Sequence, residues 1–558
     1  MIQKLLAATS LPLNALTDAN PVVAMLQDPR SYPERTAEVD RIETHISWVF
    51  LTSRYAYKLK KPVHFDFLDF STPELRKRAC LDELKLNRRL SPDTYLEVIP
   101  VTENRRGRIQ LNGEGRAIDW VLKMRRLPAE RTLERRILDG TLTMAEVDQI
   151  ARKLAEFYRQ LPPLSLRSEA YRQRILQHVQ ANREQLTRAG ARLDPVQIRR
   201  VHAAQLRLLR LRPEWFDDRV CDGRIVEGHG DLRPEHIYLT QPIGPTIIDC
   251  VEFSTEYRQI DVLDELSFLA MECDYLGAMP VSERLIEQYF RTSRDDPPWR
   301  LGPFYRCYRA CVRAKVHALR AQQLQPEHPD QAESSWETAK AYLHLADRYA
   351  NALGPPLLIL VRGVTGVGKS TLATALSEEL GIDLLQTDAV RRELFSVGDA
   401  NAPFEQGLYQ PANRQRVYDE LLARAARLLQ QGQSVILDGT FLTTELRQRV
   451  VTLGEQTRAA TLIVTCQCAN EVAAERIAAR RQAGESLAES RPEYVVLQRG
   501  CDQPDLPHFP TVQIDTSQSL PDMLSELLPH IRRSLEMFCR TCPPIHCPLC
   551  QPYQGRRE

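Results

Sequence analysis

The chain has 558 residues, of which 43% are hydrophobic and 26% are charged, so we expect a globular protein with about two to four domains. Its 74 basic residues nearly cancel its 73 acidic residues, which argues against a dedicated nucleic-acid-binding protein but leaves room for a local basic patch. No apolar run approaches the length that crosses a bilayer, so we expect no membrane-spanning segment.

The first part of the chain combines short strand candidates with a charged helix. Trp48–Thr52 and Tyr55–Leu59 are candidate strands, and a helix is expected over Thr72–Leu90. Helical periodicity then dominates from about Met144 to Leu353, apart from a strand-rich interruption at Arg224–Phe253. A small mixed lobe followed by a larger helical lobe is typical of a bilobal kinase.

A polar loop and the strand that follows it carry two carboxylates. The loop reads His229-Gly-Asp231-Leu-Arg-Pro-Glu-His236, and a strand pattern after a Pro/Gly turn ends at Asp249. A carboxylate on a loop can orient and deprotonate a hydroxyl group, and a carboxylate at a strand end can hold a metal ion. The pattern therefore favours a site with a general base and a metal ligand.

This loop resembles that of the aminoglycoside phosphotransferase branch of the protein-kinase-like fold, which reads H-G-D-x-x-x-x-N. The resemblance covers roughly Ala37–Ala321 and implies that Asp231 is the catalytic base and Asp249 the principal Mg²⁺ ligand. His236 stands where the family has a metal-binding Asn, and imidazole is a poorer partner for Mg²⁺ than an amide oxygen. Either one metal ion is lost, or His236 has another role, such as contacting phosphate or substrate.

A lysine on the second candidate strand resembles the phosphate-binding lysine of kinases. In Tyr55-Ala-Tyr-Lys58-Leu-Lys60 the A-x-K spacing favours Lys58, and Lys60 is the alternative because strand alternation points it the same way. Glu83 lies on the next helix, where the resemblance implies a partner for that lysine. The retained acidic and basic residues favour an active kinase, whereas His236 favours a pseudokinase, and both alternatives stay open.

A domain boundary is indicated near Asn351–Pro356. A helical pattern ends there in Leu353-Gly354-Pro355-Pro356, and Gly followed by Pro just past a helix is a stop signal. The continuous apolar run Leu357–Val361 comes next, as expected of a buried parallel strand. Strand patterns then alternate with amphipathic stretches, which predicts a parallel α/β sheet. The further strand candidates are Ser434–Leu437, Ala460–Cys466 and Thr511–Asp515.

The segment Gly363-Val-Thr-Gly-Val-Gly-Lys-Ser370 satisfies the P-loop pattern G-x-x-x-x-G-K-[ST], between the apolar strand and a helix expected over Thr371–Leu380. Glycines let main-chain amides face phosphate groups, and the helix N-terminus adds partial positive charge. Lys369 is expected to reach the β- and γ-phosphates of ATP, and Ser370 to ligate Mg²⁺. The predicted nucleotide-binding residues are Gly363, Gly366, Gly368, Lys369, Ser370 and Thr371.

Two carboxylates follow the P-loop. Asp438 ends the apolar strand pattern that begins at Ser434, where a Walker B carboxylate would hold Mg²⁺ through water. Asp388 ends another strand pattern, and Arg391 follows about one helical turn later. A carboxylate within hydrogen-bond reach of a substrate hydroxyl can orient and deprotonate it. The alternative is that Asp388 caps the next helix and Arg391 lies on a solvated face.

The order of these motifs resembles the small P-loop kinases grouped with gluconate kinase, polynucleotide 5′-hydroxyl kinase and zeta-toxin-type sugar-nucleotide kinases. The resemblance covers Leu357–Leu535 and implies that Asp388 accepts the substrate proton and Arg391 holds substrate. Arg476 and Arg480 lie on one helical face and resemble lid arginines that close over the transferring phosphoryl group. Surface charge is the alternative for both arginines.

The C-terminal tail contains four of the 13 cysteines, Cys539 and Cys542 in one CxxC pair and Cys547 and Cys550 in a second. Four thiolates can hold one Zn²⁺ in tetrahedral geometry, although the loop between the pairs is short. A reduced tail is the alternative, and His546 is a further candidate ligand. The other cysteines are scattered, which fits reduced thiols and a cytoplasmic location.

The whole sequence predicts an α/β and α+β multidomain protein. We expect a bilobal protein-kinase-like domain over residues 1–354, a parallel-sheet P-loop NTPase domain over residues 355–536 and a Cys-rich tail over residues 537–558. The predicted activity is ATP-dependent phosphorylation of a small-molecule hydroxyl, with ATP and Mg²⁺ as cofactors. A nucleic-acid 5′-hydroxyl kinase, a P-loop ATPase and regulation by an N-terminal pseudokinase are the alternatives.

Overall fold

Two compact units make up the chain, and the computed structural model describes residues 20–44, 46–65, 68–240, 244–395, 410–482, 493–507, 509 and 511–541. Unit 1 comprises residues 1–171 and 217–346, and unit 2 comprises residues 172–216 and 347–558. The domain limits at 354/355 and 536/537 stay a prediction, because compactness alone does not delimit a functional domain.

The described ranges contain seventeen strands and nineteen α-helices, numbered here in chain order, and none of these helices is both long enough and apolar enough to cross a membrane. The strands are β1 Asp40–Glu43, β2 Ser47–Leu51, β3 Tyr55–Lys60, β4 His64–Phe65, β5 Leu68–Asp69, β6 Tyr95–Glu103, β7 Ile109–Leu111, β8 Arg116–Arg125, β9 Ile225–Glu227, β10 Ile237–Thr240, β11 Gly244–Ile247, β12 Gln259–Asp261, β13 Leu357–Arg362, β14 Asp383–Gln386, β15 Val435–Gly439, β16 Ala460–Gln467 and β17 Thr511–Asp515. The helices are α1 Pro21–Gln27, α2 Pro73–Asn87, α3 Leu133–Leu138, α4 Met144–Gln160, α5 Ser168–Arg188, α6 Pro195–Leu211, α7 Pro213–Cys221, α8 Thr255–Arg258, α9 Val262–Tyr275, α10 Met279–Ser293, α11 Leu301–Leu324, α12 Pro329–Ala352, α13 Lys369–Leu380, α14 Thr387–Leu394, α15 Pro411–Gln430, α16 Thr444–Thr457, α17 Asn470–Gln482, α18 Glu493–Cys501 and α19 Leu520–Thr541.

The N-terminal sheet of unit 1 has six antiparallel strands in the order β1-β2-β3-β8-β6-β7. Successive side chains of a strand face opposite sides of a sheet, so Tyr57 and Leu59 pack in one hydrophobic core and Ala56 packs in another. Lys58 and Lys60 share the Ala56 side, whose core also includes residues of α2. Both candidate lysines therefore project from β3 towards the same helix.

The helices of unit 1 begin where the sequence supplies caps. The Thr72 hydroxyl accepts a hydrogen bond from the Leu75 amide at 3.3 Å, so α2 begins at Pro73. Thr143 and Glu146 form a reciprocal capping box at the start of α4. Apolar side chains of α4, α9 and α10 then share one core, which explains the helical periodicity of this part of the sequence.

Unit 2 contains a five-stranded sheet in the order β14-β15-β13-β16-β17, and every strand pair is parallel, as the alternating sequence pattern predicts. All six residues of β13 are buried because hydrophobic cores lie on both faces of the sheet. The strand order reverses at β13. Ligands of open α/β sheets bind outside the carboxyl ends of the strands at such a point, where β13 leads into the P-loop.

The segment 172–216 belongs to unit 2 although it lies within the predicted kinase-like region of the sequence. Leu211, at the end of α6, shares a hydrophobic core with Leu357 of β13. Arg207 of α6 donates to the carbonyl oxygens of Gly354 and Pro355 at 3.0 and 2.8 Å. These contacts fasten α6 to the turn before β13.

Candidate functional site

The P-loop of unit 2 depends on glycines whose backbone angles and surroundings exclude a side chain. Gly366 has a φ of 82°, and a β-carbon there would lie 2.6 Å from the carbonyl oxygen of Ala473. Gly363 has a φ of 145°, and its β-carbon would lie 2.7 Å from the carbonyl oxygen of Cys466. L-residues with side chains rarely adopt these angles, so both positions require glycine.

The helix after the loop begins at Lys369, directly after Gly368, whose φ is 86°. Lys369 and Ser370 are half-buried in the first turn of α13, and Thr371 is exposed. The first amides of a helix have no intrahelical acceptor and carry partial positive charge, which suits a phosphate group. The strand and helix that the sequence predicts on either side of the motif are both present.

A glutamine that the sequence did not single out supports the P-loop from α18. The Gln498 side-chain oxygen accepts a hydrogen bond from the Thr365 amide at 2.7 Å. This bond holds the middle of the loop against a helix that lies more than a hundred residues later in the sequence. No local pattern marks such a residue, because only the fold brings it to the loop.

Asp438 lies near the carboxyl end of β15, adjacent in the sheet to β13 and β14. It is 4% exposed, and one of its carboxylate oxygens accepts a hydrogen bond from the side-chain amide of Gln386 at 3.0 Å. The other oxygen, Oδ1, is buried and has no hydrogen-bond partner within the described ranges. An unpaired buried carboxylate oxygen is costly, so this atom fits a cation or a cation-bound water.

Asp388 lies in the first turn of α14, whereas the sequence predicted that it ends the preceding strand. Strand β14 ends earlier, at Gln386, because the helix begins at Thr387. The Asp388 carboxylate is 68% exposed and pairs with the Arg391 guanidinium at 2.5 Å, and Arg391 is 13% exposed. No side chain caps the N-terminus of this helix, so Asp388 does not act as a helix cap.

Arg476 of α17 lies beside the P-loop. A β-carbon on Gly368 would be 3.1 Å from the Arg476 guanidinium, which also donates to the Thr516 carbonyl oxygen at 2.7 Å. The Thr516 hydroxyl in turn donates to the Val367 carbonyl oxygen. Arg480, one turn further along α17, is exposed. The two arginines therefore differ in surroundings, and their predicted lid role stays a prediction.

In unit 1, Lys58 joins the two acidic residues that the sequence assigned to a kinase-like site. Its ammonium lies 2.7 Å from the Glu83 carboxylate on α2 and 3.0 Å from the Asp249 carboxylate. Burial lowers the pKa of Lys58, but the Asp249 and Glu83 charges outweigh burial and raise the pKa well above its ordinary value. Burial raises the pKa of Asp249, and Lys58 and His236 lower it below its ordinary value.

Lys60 takes different partners from Lys58. It is fully buried and contacts Glu83 and Glu252, which are also buried. Burial lowers the pKa of Lys60, and the carboxylates of Glu252 and Glu83 raise it above its ordinary value. The geometry thus distinguishes the two candidate lysines, because Lys58 contacts Asp249 and Lys60 contacts the segment just after it.

Buried side chains hold the loop around Asp231 and the turn at Asp249. Glu265 accepts hydrogen bonds from the amides of His229 and Gly230 at 2.8 and 2.6 Å. Asp249 lies two residues beyond β11 with a φ of 65°, a strained angle for a residue other than glycine. Its amide donates to the Tyr95 hydroxyl at 3.1 Å, which helps to hold that conformation.

His236 lies between Asp231, the predicted catalytic base, and Asp249, the predicted metal ligand. Its Nδ1 is 2.9 Å from the Asp231 carbonyl oxygen, so we assign the ring proton to Nδ1. Its Nε2 then carries the lone pair, 3.7 Å from the Asp249 carboxylate and 3.3 Å from the Arg233 guanidinium. The carboxylate of Asp249 suits Mg²⁺, whereas the ring adds a nitrogen where a hard cation prefers oxygen.

Asp231 is a third exposed and pairs with Arg233 at 3.0 Å. Burial raises the pKa of Asp231, and Arg233 and His236 lower it below its ordinary value, so the carboxylate is ionised at neutral pH. An ionised carboxylate is the form that accepts a proton. No group of three or more His, Cys, Asp or Glu side chains arranged to hold a metal ion occurs among the residues that the structure describes.

The predicted zinc ligands lie outside the described residues. Cys542, Cys547 and Cys550 belong to the undescribed tail, and the side chain of Cys539, at the end of α19, is likewise outside the description. Zinc binding therefore stays a prediction.

Two family models match the chain in the order that the motifs indicate. The model described as "Phosphotransferase enzyme family" matches residues 67–302, and the model described as "AAA domain" matches residues 358–498. The first match includes the Asp231 and Asp249 carboxylates, and the second includes the P-loop and Asp438. The resemblances inferred from the motifs are thereby confirmed at the level of the two domains.

Two mycobacterial proteins align with most of the chain. Proteins of Mycobacterium tuberculosis and Mycobacterium bovis, both described as uncharacterized, are 34% identical to it over 457 residues. The alignment covers 79% of this chain and 86% of each mycobacterial protein.

Solved structures of kinases align with parts of the chain. A gluconokinase from Sinorhizobium meliloti is 19% identical and covers 34% of this chain and 98% of its own, with a TM-score of 0.25. An APS kinase from Mycobacterium tuberculosis is 20% identical and covers 32% and 98%, with a TM-score of 0.24. A choline kinase from Cryptosporidium parvum is 11% identical and covers 58% and 93%, with a TM-score of 0.35.

Proposed function

The chain belongs to the family of its mycobacterial relatives and joins a phosphotransferase-family domain to a P-loop domain, and on this premise we propose that unit 2 phosphorylates a hydroxyl group of a small molecule. The two domains make the chain an ATP-dependent kinase. The observation that carries the proposal for unit 2 is the buried, unpartnered Oδ1 of Asp438 at the same sheet edge as the P-loop, within the part of the chain that the structure describes.

The nucleotide side of unit 2 binds and neutralises phosphate. Amides of the P-loop donate to phosphate oxygens, and Lys369 adds a positive charge at the β- and γ-phosphates. Ser370 and Asp438 would hold Mg²⁺, which when bound supplies charge neutralisation at the phosphates. Arg476 is fixed beside Gly368 by Thr516, where it adds a positive charge next to the loop.

The acceptor side of unit 2 uses the exposed carboxylate of Asp388. That carboxylate accepts the proton of the substrate hydroxyl. The hydroxyl oxygen attacks the γ-phosphorus, and the bond between the γ-phosphorus and the oxygen that bridges it to the β-phosphate breaks, so ADP leaves. Arg391 holds Asp388 in place through their ion pair and contacts the substrate. Arg480, exposed on α17, neutralises the phosphoryl group as a lid residue.

For unit 1 we propose a second phosphotransfer site. Lys58 binds phosphate while Glu83 holds its ammonium, and Asp249 would hold one Mg²⁺. Asp231 accepts the proton of a second hydroxyl substrate. His236 bonds the Asp231 main chain through Nδ1, and its Nε2, 3.7 Å from the Asp249 carboxylate, contacts substrate or phosphate.

The test follows the γ-phosphate of labelled ATP into a small-molecule extract with the wild type, Lys369→Ala and Asp231→Asn. We expect two labelled products, one lost in each variant. Lys340→Ala, which removes a surface lysine paired with Glu337, is the matched control and retains both products.

Each other outcome excludes a part of the proposal. A single product that is lost only in Lys369→Ala would make unit 1 a regulatory pseudokinase. Label in nucleic-acid ends, with none in small molecules, would make unit 2 a 5′-hydroxyl kinase. Free inorganic phosphate with no labelled acceptor of either kind would identify an ATPase and contradict the kinase mechanism.

A further inference from the structure

A cavity of unit 2 lies at the sheet edge opposite the P-loop. Its volume is about 50 Å³, and it is walled by α6 and by the turns that precede β13, β14 and β15. The P-loop follows the other end of β13, and a six-residue strand spans roughly 20 Å, so the cavity is separate from the nucleotide site.

Glycines in these turns let arginines of α6 lie against the main chain. A β-carbon on Gly432 would be 3.0 Å from the side chain of Arg200, and one on Gly354 would be 3.3 Å from the guanidinium of Arg207. Gly432 and Gly354 also have positive φ angles of 72° and 140°. A side chain at either glycine would therefore displace an arginine from the cavity wall.

Three arginines line the cavity together with acidic neighbours. Arg200 pairs with Asp347 and donates to the Gln431 carbonyl oxygen at 2.8 Å. Arg199 is 42% exposed and lies 4.0 Å from Asp383, which is longer than a charge-assisted hydrogen bond. The third is Arg207, whose guanidinium bonds main-chain carbonyl oxygens of the turn before β13. The wall thus carries more positive than negative side chains.

Gln433 supplies the observation that indicates a ligand. Gln433 lines the cavity and is 3% exposed, and neither its side-chain nitrogen nor its side-chain oxygen has a hydrogen-bond partner among the described residues. A buried amide left unsatisfied costs stability, and a cavity of this size has room for a group larger than one water. The amide needs a ligand with an acceptor for its N–H and a donor for its oxygen.

We propose that this cavity binds a hydrogen-phosphate group. A protonated phosphate offers an oxygen acceptor to the Gln433 N–H and an O–H donor to the Gln433 oxygen, while its negative charge suits the arginines. Sulfate has the same size and shape but no proton to donate at neutral pH. The site therefore prefers a protonated phosphate to sulfate, and a phosphate monoester, whose second pKa is about 6, offers the same donor near and below that pH.

The experiment is a thermal-unfolding titration of the full chain with inorganic phosphate, sulfate or glucose 6-phosphate, at constant ionic strength and about pH 6, where roughly half of a phosphate monoester keeps its proton. A saturating non-hydrolysable ATP analogue with Mg²⁺ fills the nucleotide sites throughout. We expect phosphate to raise Tm saturably, because a ligand that binds the folded state stabilises it, and sulfate to raise it less. A stronger effect of glucose 6-phosphate than of inorganic phosphate would identify a phosphorylated metabolite as the ligand.

Two variants test whether the Tm increase with phosphate comes from binding in this cavity. Gln433→Met keeps the approximate shape of the side chain and removes both polar atoms, and Arg199→Ala removes a half-exposed guanidinium. Each is expected to weaken phosphate binding by roughly tenfold or more, as for loss of a charge-assisted hydrogen bond. Arg427→Ala, which removes an arginine that is 61% exposed on α15, should leave phosphate binding unchanged.

Three results would overturn the proposal. An equal Tm increase with sulfate would show an unspecific anion effect. A phosphate effect that persists in both Gln433→Met and Arg199→Ala would place the bound phosphate elsewhere. No phosphate effect in the wild type would exclude a phosphate site, and a higher Tm for Gln433→Met would then indicate that water alone fills the cavity.

Discussion

Lys60 and Glu252 form an ion pair in the interior of unit 1, with exposed side-chain fractions of 0% and 6%. The ammonium of Lys60 also contacts Glu83, and the other carboxylate oxygen of Glu83 contacts Lys58. Two lysines of β3 therefore share one glutamate of α2. Because Glu252 follows Asp249 by three residues, this arrangement fastens the segment after Asp249 to the sheet that carries Lys58.

We expect Lys60→Met to destabilise unit 1 by about 3–5 kcal/mol, because it leaves the buried Glu252 carboxylate without its counter-charge, while Glu83 keeps Lys58. The double variant Lys60→Met/Glu252→Gln should recover much of this loss, since it also removes the unpaired carboxylate. The free energy of unfolding in urea measures both effects. Equal stability of Lys60→Met and the surface control Lys340→Met would contradict the buried-pair argument, and so would a double variant that is less stable than the single one.

Gly366→Ala tests the steric requirement of the P-loop. An alanine would place its β-carbon 2.6 Å from the Ala473 carbonyl oxygen at a φ of 82°, so the loop has to change shape. We expect ATP binding to unit 2 to fall by at least about tenfold, measured with a fluorescent ATP analogue, because loop amides no longer converge on phosphate. Gly366→Ala and the protein it is compared with both also carry Lys58→Met, which removes nucleotide binding at unit 1.

Gly500→Ala is the matched control for Gly366→Ala. Gly500 lies in α18, and its β-carbon would meet nothing within 4 Å. Alanine is the better helix former by roughly 0.5–1 kcal/mol, so this variant should be as stable as the wild type or more stable. Equal loss of ATP binding in the two variants would show that the P-loop geometry is not the cause.

Local spacing in the sequence was enough to predict the P-loop, because the motif, the strand before it and the helix after it are contiguous. The parallel sheet was also predictable, since β13 follows a continuous apolar run and later strand patterns alternate with amphipathic stretches. Glu252, Gln386 and Gln498 could not be predicted as supporting residues, because each acts on a residue that only the fold brings near. Helical periodicity predicted α6 but could not assign it to unit 2, since an apolar helix face looks the same whichever core covers it.

Asp438→Asn tests the carboxylate at the end of β15. Asparagine can keep the contact with Gln386 while it removes the negative charge at the position of the unpartnered Oδ1. We expect phosphoryl transfer by unit 2 to fall by about 10²–10³ in kcat, as for loss of one electrostatic group at a reaction centre, with little change in the free energy of unfolding. Gln386→Leu, which removes only the supporting hydrogen bond, should reduce kcat less. Unchanged turnover in Asp438→Asn would exclude this residue from the metal site.

His202 on α6 makes the stability of unit 2 depend on pH. It is 4% exposed, and its Nε2 has no hydrogen-bond partner in the described part of the chain. Burial, with a smaller contribution from the Arg183 charge, lowers the pKa of His202 from 6.5 to about 3. Between these two values the unfolded chain binds a proton at His202 and the folded chain does not. Acid therefore favours unfolding, and stability rises with pH until about 6.5.

We expect the free energy of unfolding of unit 2 to fall by up to about 1.4 kcal/mol for each pH unit below 6.5 through this residue. His202→Gln removes the titrating ring, so the slope of stability against pH should decrease by the equivalent of one proton between about pH 4.5 and 6. Urea unfolding followed by the fluorescence of Trp215, with the other tryptophans replaced by phenylalanine, reports on unit 2. The same replacement background without the His202 change is the control. An unchanged slope in His202→Gln would show that His202 is protonated to the same extent in the folded and unfolded states. The conclusion that the buried imidazole is neutral in the folded state would then be wrong.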